Sequence, residues 1–259
     1  MKNTSEKHNA SVLALHGFTG CGNDFDVLRH FFPNTFFDCP DLHGNDANTN
    51  FRQLLEALSM RFKNLPATPQ RILLGYSMGG RIALHLALKL SRENAFRESD
   101  RLVLISASPG LQTEAERAER RERDAILAKK ILDAPDAGAF YAFWQNVPII
   151  ATQKNISEPW KSRILRNRGN AEKTAWANSL ATLGTGTLPP LWDNLAEVAC
   201  DTVFVYGEND SKFSQIAAAM NLRLPRSRLI GIPDCGHAPH LENPEAFREM
   251  LAGNEVFPR

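Results

Sequence analysis

Four cysteines in 259 residues, Cys21, Cys39, Cys200 and Cys235, are too few and too scattered for a disulfide framework, and no C-x-x-C spacing suggests a zinc knuckle or a redox pair. A reducing compartment fits this usage. No run approaches the roughly 18 apolar residues of a membrane span, and the polar start MKNTSEKHNA lacks the apolar stretch of a secretory signal. The expected location is the cytoplasm. An excess of charge of one sign is missing too: 30 Lys and Arg stand against 29 Asp and Glu, a formal net charge of +1, so no global field favours nucleic acid or an anionic membrane. Repeats and low-complexity segments are also lacking. What remains is a globular composition, 43% apolar and 23% charged, on a chain long enough to bury a core without staples.

Apolar runs predict strands at 11–16, 36–39, 71–75, 102–106, 202–206 and 228–232, most of them continuous rather than alternating, as in parallel strands covered on both faces. Helical patterns at 51–62, 78–90, 213–222 and 244–251 fall between them, the last opening on Pro244 at a first-turn position. Strand and helix in alternation predict an α/β fold with a mostly parallel sheet. The alternation stops at Pro109 and resumes near Asp201, leaving about ninety residues of helical character. The expected organisation is a core over 1–108 and 190–259, with 109–189 inserted as a helical lid above the strand C-termini, where open α/β sheets bind ligands.

Gly75-Tyr-Ser-Met-Gly79 is a G-x-S-x-G turn between an apolar strand and an apolar-periodic helix. Such a turn exposes the Ser77 hydroxyl, and the Met78 N–H at the helix start is placed to bind a developing oxyanion. His16-Gly-Phe18 follows the first strand, so the Phe18 N–H is the expected second donor, with His16 itself a structural loop residue. A serine needs a histidine to take its proton and a carboxylate to orient that histidine. Of the seven histidines, His237 follows the last predicted strand and is the expected base; His240 lies beside the pocket or on the surface, and His8, His30 and His85 have no motif context. Asp210 follows the preceding strand and is the expected orienting acid. Asp201 lies at the wrong strand end, and Asp234 is close in sequence to His237, leaving a shifted triad as the alternative. The chain order Ser77, Asp210, His237 is that of α/β-hydrolases.

The wider pattern resembles the 2-succinyl-6-hydroxy-2,4-cyclohexadiene-1-carboxylate synthases, pyruvate-eliminating lyases of menaquinone biosynthesis within the α/β-hydrolase superfamily. The resemblance runs almost end to end, through Leu15-His-Gly-Phe-Thr-Gly20, the Gly75 to Arg81 turn, Ser108-Pro-Gly-Leu111, Glu116 to Arg120, Asp124, Gly184-Thr-Gly186 with Leu191-Trp192, Tyr206 to Phe213, and Gly236 to Pro244. One departure is Pro40-Asp-Leu-His-Gly-Asn-Asp46, where the superfamily usually shows P-D-L-P-G-H-G, so His43 and Asn45 alter a loop near the entrance.

Arg81 stands four residues beyond Ser77, on the same helix face. Of the 18 residues from Thr113 to Lys130, 11 are charged; for Arg117, Arg121 and Arg123 the expectation is a solvated, salt-bridged face. The resemblance singles out Arg120 and Arg166 as substrate-binding, and it implies a substrate carrying three carboxylates, which guanidinium groups bind bidentately. Tyr76 and Trp144 could contact the substrate ring or serve as core and lid aromatics, and Lys212 could add charge near the site or decorate a loop. The mechanism the resemblance implies is proton abstraction by a His237-activated Ser77, with Phe18 and Met78 N–H groups on the enolate. No metal or organic cofactor is required, and no nucleic-acid or membrane partner is expected. A carboxylesterase or C–C bond hydrolase, or a catalytically silent binding module, would share this fold and pocket.

Overall fold

The computed structural model describes residues 8–43 and 50–257. In chain order the elements are β1 (Ala10–Leu15), α1 (Asp26–Phe31), β2 (Thr35–Asp38), α2 (Phe51–Lys63), β3 (Gln70–Tyr76), α3 (Met78–Arg92), β4 (Arg101–Ile105), α4 (Glu114–Asp133), α5 (Ala137–Trp144), α6 (Trp160–Gly169), α7 (Lys173–Leu183), β5 (Asp201–Gly207), α8 (Ser211–Asn221), β6 (Ser227–Ile232), α9 (Pro239–Glu242) and α10 (Pro244–Gly253). Every expected strand occurs, each starting one residue before its apolar run. In five of the six that first residue is polar (Thr35, Gln70, Arg101, Asp201, Ser227), so hydrophobicity does not reveal it although the backbone already joins the ladder. Helix α8 begins two residues earlier than its apolar period, because the Asp210 side chain accepts the Phe213 N–H and caps it. The six-residue α1 is too short to show a period.

All strand pairs are parallel, in the order β2-β1-β3-β4-β5-β6. The chain steps one way from β1 to β2 and the other way from β3 onward, so the order reverses between β1 and β3. Loops leaving two such strands diverge to opposite faces and open a crevice at their C-terminal ends, where ligands of doubly wound sheets bind. Both Leu15 to Phe18 and the Ser77 turn leave the sheet at this crevice, with Leu15 and Gly75 paired across it.

Alternate residues of each strand feed two cores. Val12, Ala14, Ile72, Leu74, Val103 and Val205 face Leu28 of α1 and Phe247 of α10; Leu13, Leu15, Leu73, Leu104 and Phe204 face Phe62 of α2, Ile82 and Leu86 of α3 and Met220 of α8. Two apolar faces explain why the strands read as continuous runs. A third cluster, Ile131, Phe140, Trp176 and Leu180, joins α4, α5 and α7 between β4 and β5, where no strand intervenes. Among the described residues no helix is long and apolar enough to cross a membrane.

Candidate active site

The turn from β3 into α3 is built on close backbone approaches. A Cβ on Gly79 would lie 2.1 Å from the Leu15 carbonyl oxygen, and one on Gly80 would lie 2.5 Å from the Ala107 Cβ, so β1 and β4 press against the helix start on both sides. Just ahead of these glycines Ser77 takes φ 52° and ψ −111°, a strained conformation of the kind stored at functional sites at about 1–3 kcal/mol. Its N–H donates to the Ile105 carbonyl at 2.9 Å, and its carbonyl accepts the Arg81 N–H at 3.1 Å.

The end of β5 meets the loop after β6 at equally close range: a Cβ on Gly207 would touch the Gly236 and Cys235 carbonyl oxygens at 2.1 and 2.3 Å. The Asn209 N–H donates to Cys235 at 2.9 Å. This packing brings Asp210 to His237. Asp210 Oδ2 lies 2.8 Å from His237 Nδ1, and His237 Nε2 lies 2.9 Å from Ser77 Oγ. With the carboxylate holding the Nδ1–H, the Nε2 lone pair faces the serine hydroxyl. Asp210 has a second task, since its other oxygen accepts the Phe213 N–H at 3.1 Å. The Phe213 ring packs 4.5 Å from the His237 ring, and His237 is only 3% exposed. Phe213 is a site residue that the sequence reading left as part of a motif.

On the β1 side, a Cβ on Gly17 would stand 2.7 Å from the Tyr76 ring and 3.6 Å from Ser77 Cβ, which puts the Phe18 backbone beside the serine. Met78 opens α3, so its N–H lacks an intrahelical acceptor. The Phe18 ring meets Trp144 edge-on at 5.3 Å and His43 at 6.4 Å. Tyr76 is buried, and its hydroxyl accepts from Gln153 Nε2 at 3.1 Å; burial first, then the Glu242 charge, pushes its phenol well above the usual range, so it stays protonated.

The basic residues divide sharply. Arg81 is buried, its Nη2 donating to the Leu183 carbonyl at 2.7 Å while its Nε has no partner among the described residues. Burial, then the Arg120 charge, lowers its pKa to about 10, and it remains a cation at neutral pH. Arg120 is partly exposed and donates from Nε to Asp124 Oδ1 at 2.8 Å, leaving the other oxygen of buried Asp124 without a partner among the described residues. Arg117 and Arg121 pair with Glu114, and Arg123 with Glu119, on the exposed face of α4. Arg166 is exposed on α6; the guanidinium this helix buries is Arg168, held by both oxygens of Asp24 at 2.9 and 2.6 Å. Lys212 is exposed, 5.7 Å from the Phe213 ring. Trp144 is half-buried, stacked 6.0 Å from Phe140. Asp201 pairs with Arg226 at 2.8 Å, away from His237.

His43 is buried, both ring nitrogens without a hydrogen-bond partner among the described residues, and burial, then the His16 charge, lowers its pKa to about 3. Asn45 lies outside the described residues. His16, Asp41 and His43 place three possible ligand atoms within 4.8 Å, yet His16 Nε2 already accepts the Leu42 N–H at 2.9 Å and Asp41 Oδ1 accepts the His43 N–H at 3.0 Å. His16 and Asp41 are thereby committed to the loop that follows β2. His240 is fully buried against Phe25 and Tyr76, and burial lowers its pKa to about 3. A surface cleft of about 450 Å³ between α1 and α10 shares no residue with the Ser77 cluster.

The described cluster sits within residues 12–250, which match the model of the alpha/beta hydrolase family. A 2-succinyl-6-hydroxy-2,4-cyclohexadiene-1-carboxylate synthase of Serratia proteamaculans (strain 568) is 29% identical over 255 residues, covering 95% of this chain and 93% of the relative. A Bacillus subtilis (strain 168) protein whose name gives the same synthase provisionally is 35% identical over 257 residues, covering 95% of this chain and 91% of the relative. The solved structure of MenH from S. aureus is similar at a TM-score of 0.82 and 31% identity, covering 95% of this chain and 93% of that one. An esterase from Thermogutta terrifontis shares the fold at a TM-score of 0.75 and 22% identity, covering 96% of this chain and 90% of that one.

Proposed function

Because the chain belongs to the 2-succinyl-6-hydroxy-2,4-cyclohexadiene-1-carboxylate synthase family of alpha/beta hydrolases, we propose that it eliminates pyruvate from 2-succinyl-5-enolpyruvyl-6-hydroxy-3-cyclohexene-1-carboxylate in menaquinone biosynthesis. Enzymes of this family are carbon–oxygen lyases on a hydrolase fold. In this reading Ser77 removes a ring proton and passes its own to His237, whose imidazolium Asp210 stabilises. The electron pair left on the ring moves into the new diene, and the carbon–oxygen bond to the enolpyruvyl group breaks. The leaving enolate takes up a proton and becomes pyruvate. Charge that develops on the conjugated carbonyl oxygen meets the Phe18 and Met78 N–H groups, which need no reorganisation at that moment.

The observation that carries this reading is the buried Arg81 guanidinium one helical turn beyond Ser77, with a donor left over. An esterase for neutral esters has no use for an anchored cation there. Arg120, close enough to depress the Arg81 pKa, adds a second guanidinium for a polyanionic substrate. Arg166 keeps a place only at the outer edge, and Arg168 is committed to Asp24. We treat 109–189 as the lid that brings Arg120 and Trp144 over the crevice, with Tyr76 and Trp144 as flat contacts to the ring and Lys212 at the rim.

Pyruvate release measured on that substrate beside turnover of neutral p-nitrophenyl esters tests the reading. Fast ester turnover without pyruvate would replace it with carboxylesterase activity. Arg120→Ala is expected to raise KM about 10- to 100-fold, the loss of a charge-assisted hydrogen bond, with kcat within about threefold. Arg166→Ala should raise KM by less than Arg120→Ala, since its side chain is solvated. An unchanged KM for Arg120→Ala would remove it from the site.

A further inference from the structure

Glu242 lies within the motif that runs from Gly236 to Pro244, yet the proposed reaction gives it no task. Its carboxylate accepts the Gly236 N–H at Oε2 (2.7 Å) and the Ala238 N–H at Oε1 (2.9 Å), the N–H groups of the residues on either side of His237. The second oxygen also accepts the Thr152 hydroxyl at 3.0 Å, from the short helical turn Ala151–Asn155 between α5 and α6. Contact there is close, because a Cβ on Gly236 would lie 2.2 Å from Thr152 Oγ1. The next residue, Gln153, donates to the Tyr76 hydroxyl beside Ser77. Gly236 and Ala238 are buried, so neither N–H has water to fall back on.

We propose that Glu242 is a positioning residue for His237: its two oxygens bracket the imidazole-bearing peptide from both sides, and Thr152 ties that bracket to the helical insertion. This rests on His237 being the base of the proposed reaction. The physical content is one of precision. His237 must meet Ser77 and Asp210 at once, at 2.9 and 2.8 Å, from a loop with no regular structure of its own. A carboxylate accepting both flanking N–H groups removes the peptide rotations that would swing the ring off either partner. Asp210 fixes the tautomer and one end of the ring; Glu242 fixes the backbone from which the ring projects.

Glu242→Gln keeps the shape but turns an amide NH2 towards one of the two N–H donors, so the bracket opens on one side. The expected result is a kcat for pyruvate release lower by about 10- to 100-fold, with KM within about threefold, since a displacement near 1 Å at a reacting group costs about 10²-fold. The proton NMR signal of the His237 Nδ1–H, read on the free protein, should be sharp in the wild type and broadened by solvent exchange in the variant. A variant that loses thermal stability but keeps both kcat and this signal would overturn the proposal, because the carboxylate would then be a structural staple only. Should Glu242→Gln fail to fold, Thr152→Val removes the third donor in nearly the same volume. It is expected to lower kcat about three- to tenfold with a broadened signal, and unchanged values of both would overturn the proposal. The NMR comparison needs no substrate, so a wild-type protein that releases no pyruvate refutes the proposed reaction while leaving the bracket to be judged on its own signal.

Discussion

Ser77→Ala is expected to lower kcat for pyruvate release by about 10⁴- to 10⁶-fold while leaving the fold and melting temperature close to wild type. The hydroxyl stands 2.9 Å from His237 Nε2, and its removal leaves the imidazole with no proton to take. His237→Ala should cost as much, and the double variant little more than either alone, because groups that hand on one proton act as a unit. Stability is spared for a local reason. Alanine tolerates the strained turn no worse than serine does, and the backbone bonds from Ser77 N–H to Ile105 and from Arg81 N–H to Ser77 do not involve the hydroxyl. A continuous assay that consumes the released pyruvate, run beside a thermal melt, reads both quantities. Residual activity above about one part in a hundred would place the base elsewhere, since even loss of a single oxyanion donor costs that much.

Arg168→Met is expected to destabilise the protein by about 3–5 kcal/mol, the cost of leaving one partner of a buried ion pair uncompensated. Arg168 and Asp24 are each under a tenth exposed and joined by two parallel hydrogen bonds. The pair connects α6 to the turn Gly22–Phe25 after β1, across 144 residues of sequence, so its loss loosens the helical insertion from the sheet crevice. Burial alone would raise the Asp24 pKa; the Arg168 charge and hydrogen bonds outweigh it and hold the carboxyl below its ordinary value. A carboxyl so lowered contributes its full stability above the unfolded value of about 3.9 and loses it as pH falls through the folded one. In Arg168→Met burial is opposed only by the His16 charge and the Cys21 N–H, so the Asp24 pKa rises from its wild-type value and acidification costs the variant less. The difference in urea midpoint between wild type and variant should therefore be largest near neutrality and narrow towards about pH 4. Asp24→Leu combined with Arg168→Met should recover most of the loss, because an apolar pair of similar volume removes the stranded charge. A single variant within about 1 kcal/mol of wild type at neutral pH would contradict this account of the pair.

The two arginines of α6 show where reading the chain reaches its end. Arg166 and Arg168 are separated by two residues, which on an α-helix is about 200° of rotation, so one faces in when the other faces out. The motif resemblance could name the helix; only its packing against Asp24 and Tyr141 decides that Arg168 is the buried one. His43 is a similar case. Its departure from the usual loop was visible in the chain, but its burial against His16 and Phe18 depends on a loop folding back over β1. Glu242 was written out within the motif and still had no readable task, because two of its three donors are backbone groups, which no side-chain identity announces.

By itself the sequence determined the six strands, the helices that alternate with them, the strained serine turn, and the strand ends from which Asp210 and His237 depart. These follow from periodicity, glycine placement and capping, each set by residues close together in the chain. The tertiary structure alone decided which guanidinium groups are buried, which helical turn clasps the His237 loop, and how the insertion is anchored to β1. Those outcomes depend on surfaces brought together from 90 to 144 residues apart, and side-chain burial is a property of the packed pair rather than of either segment.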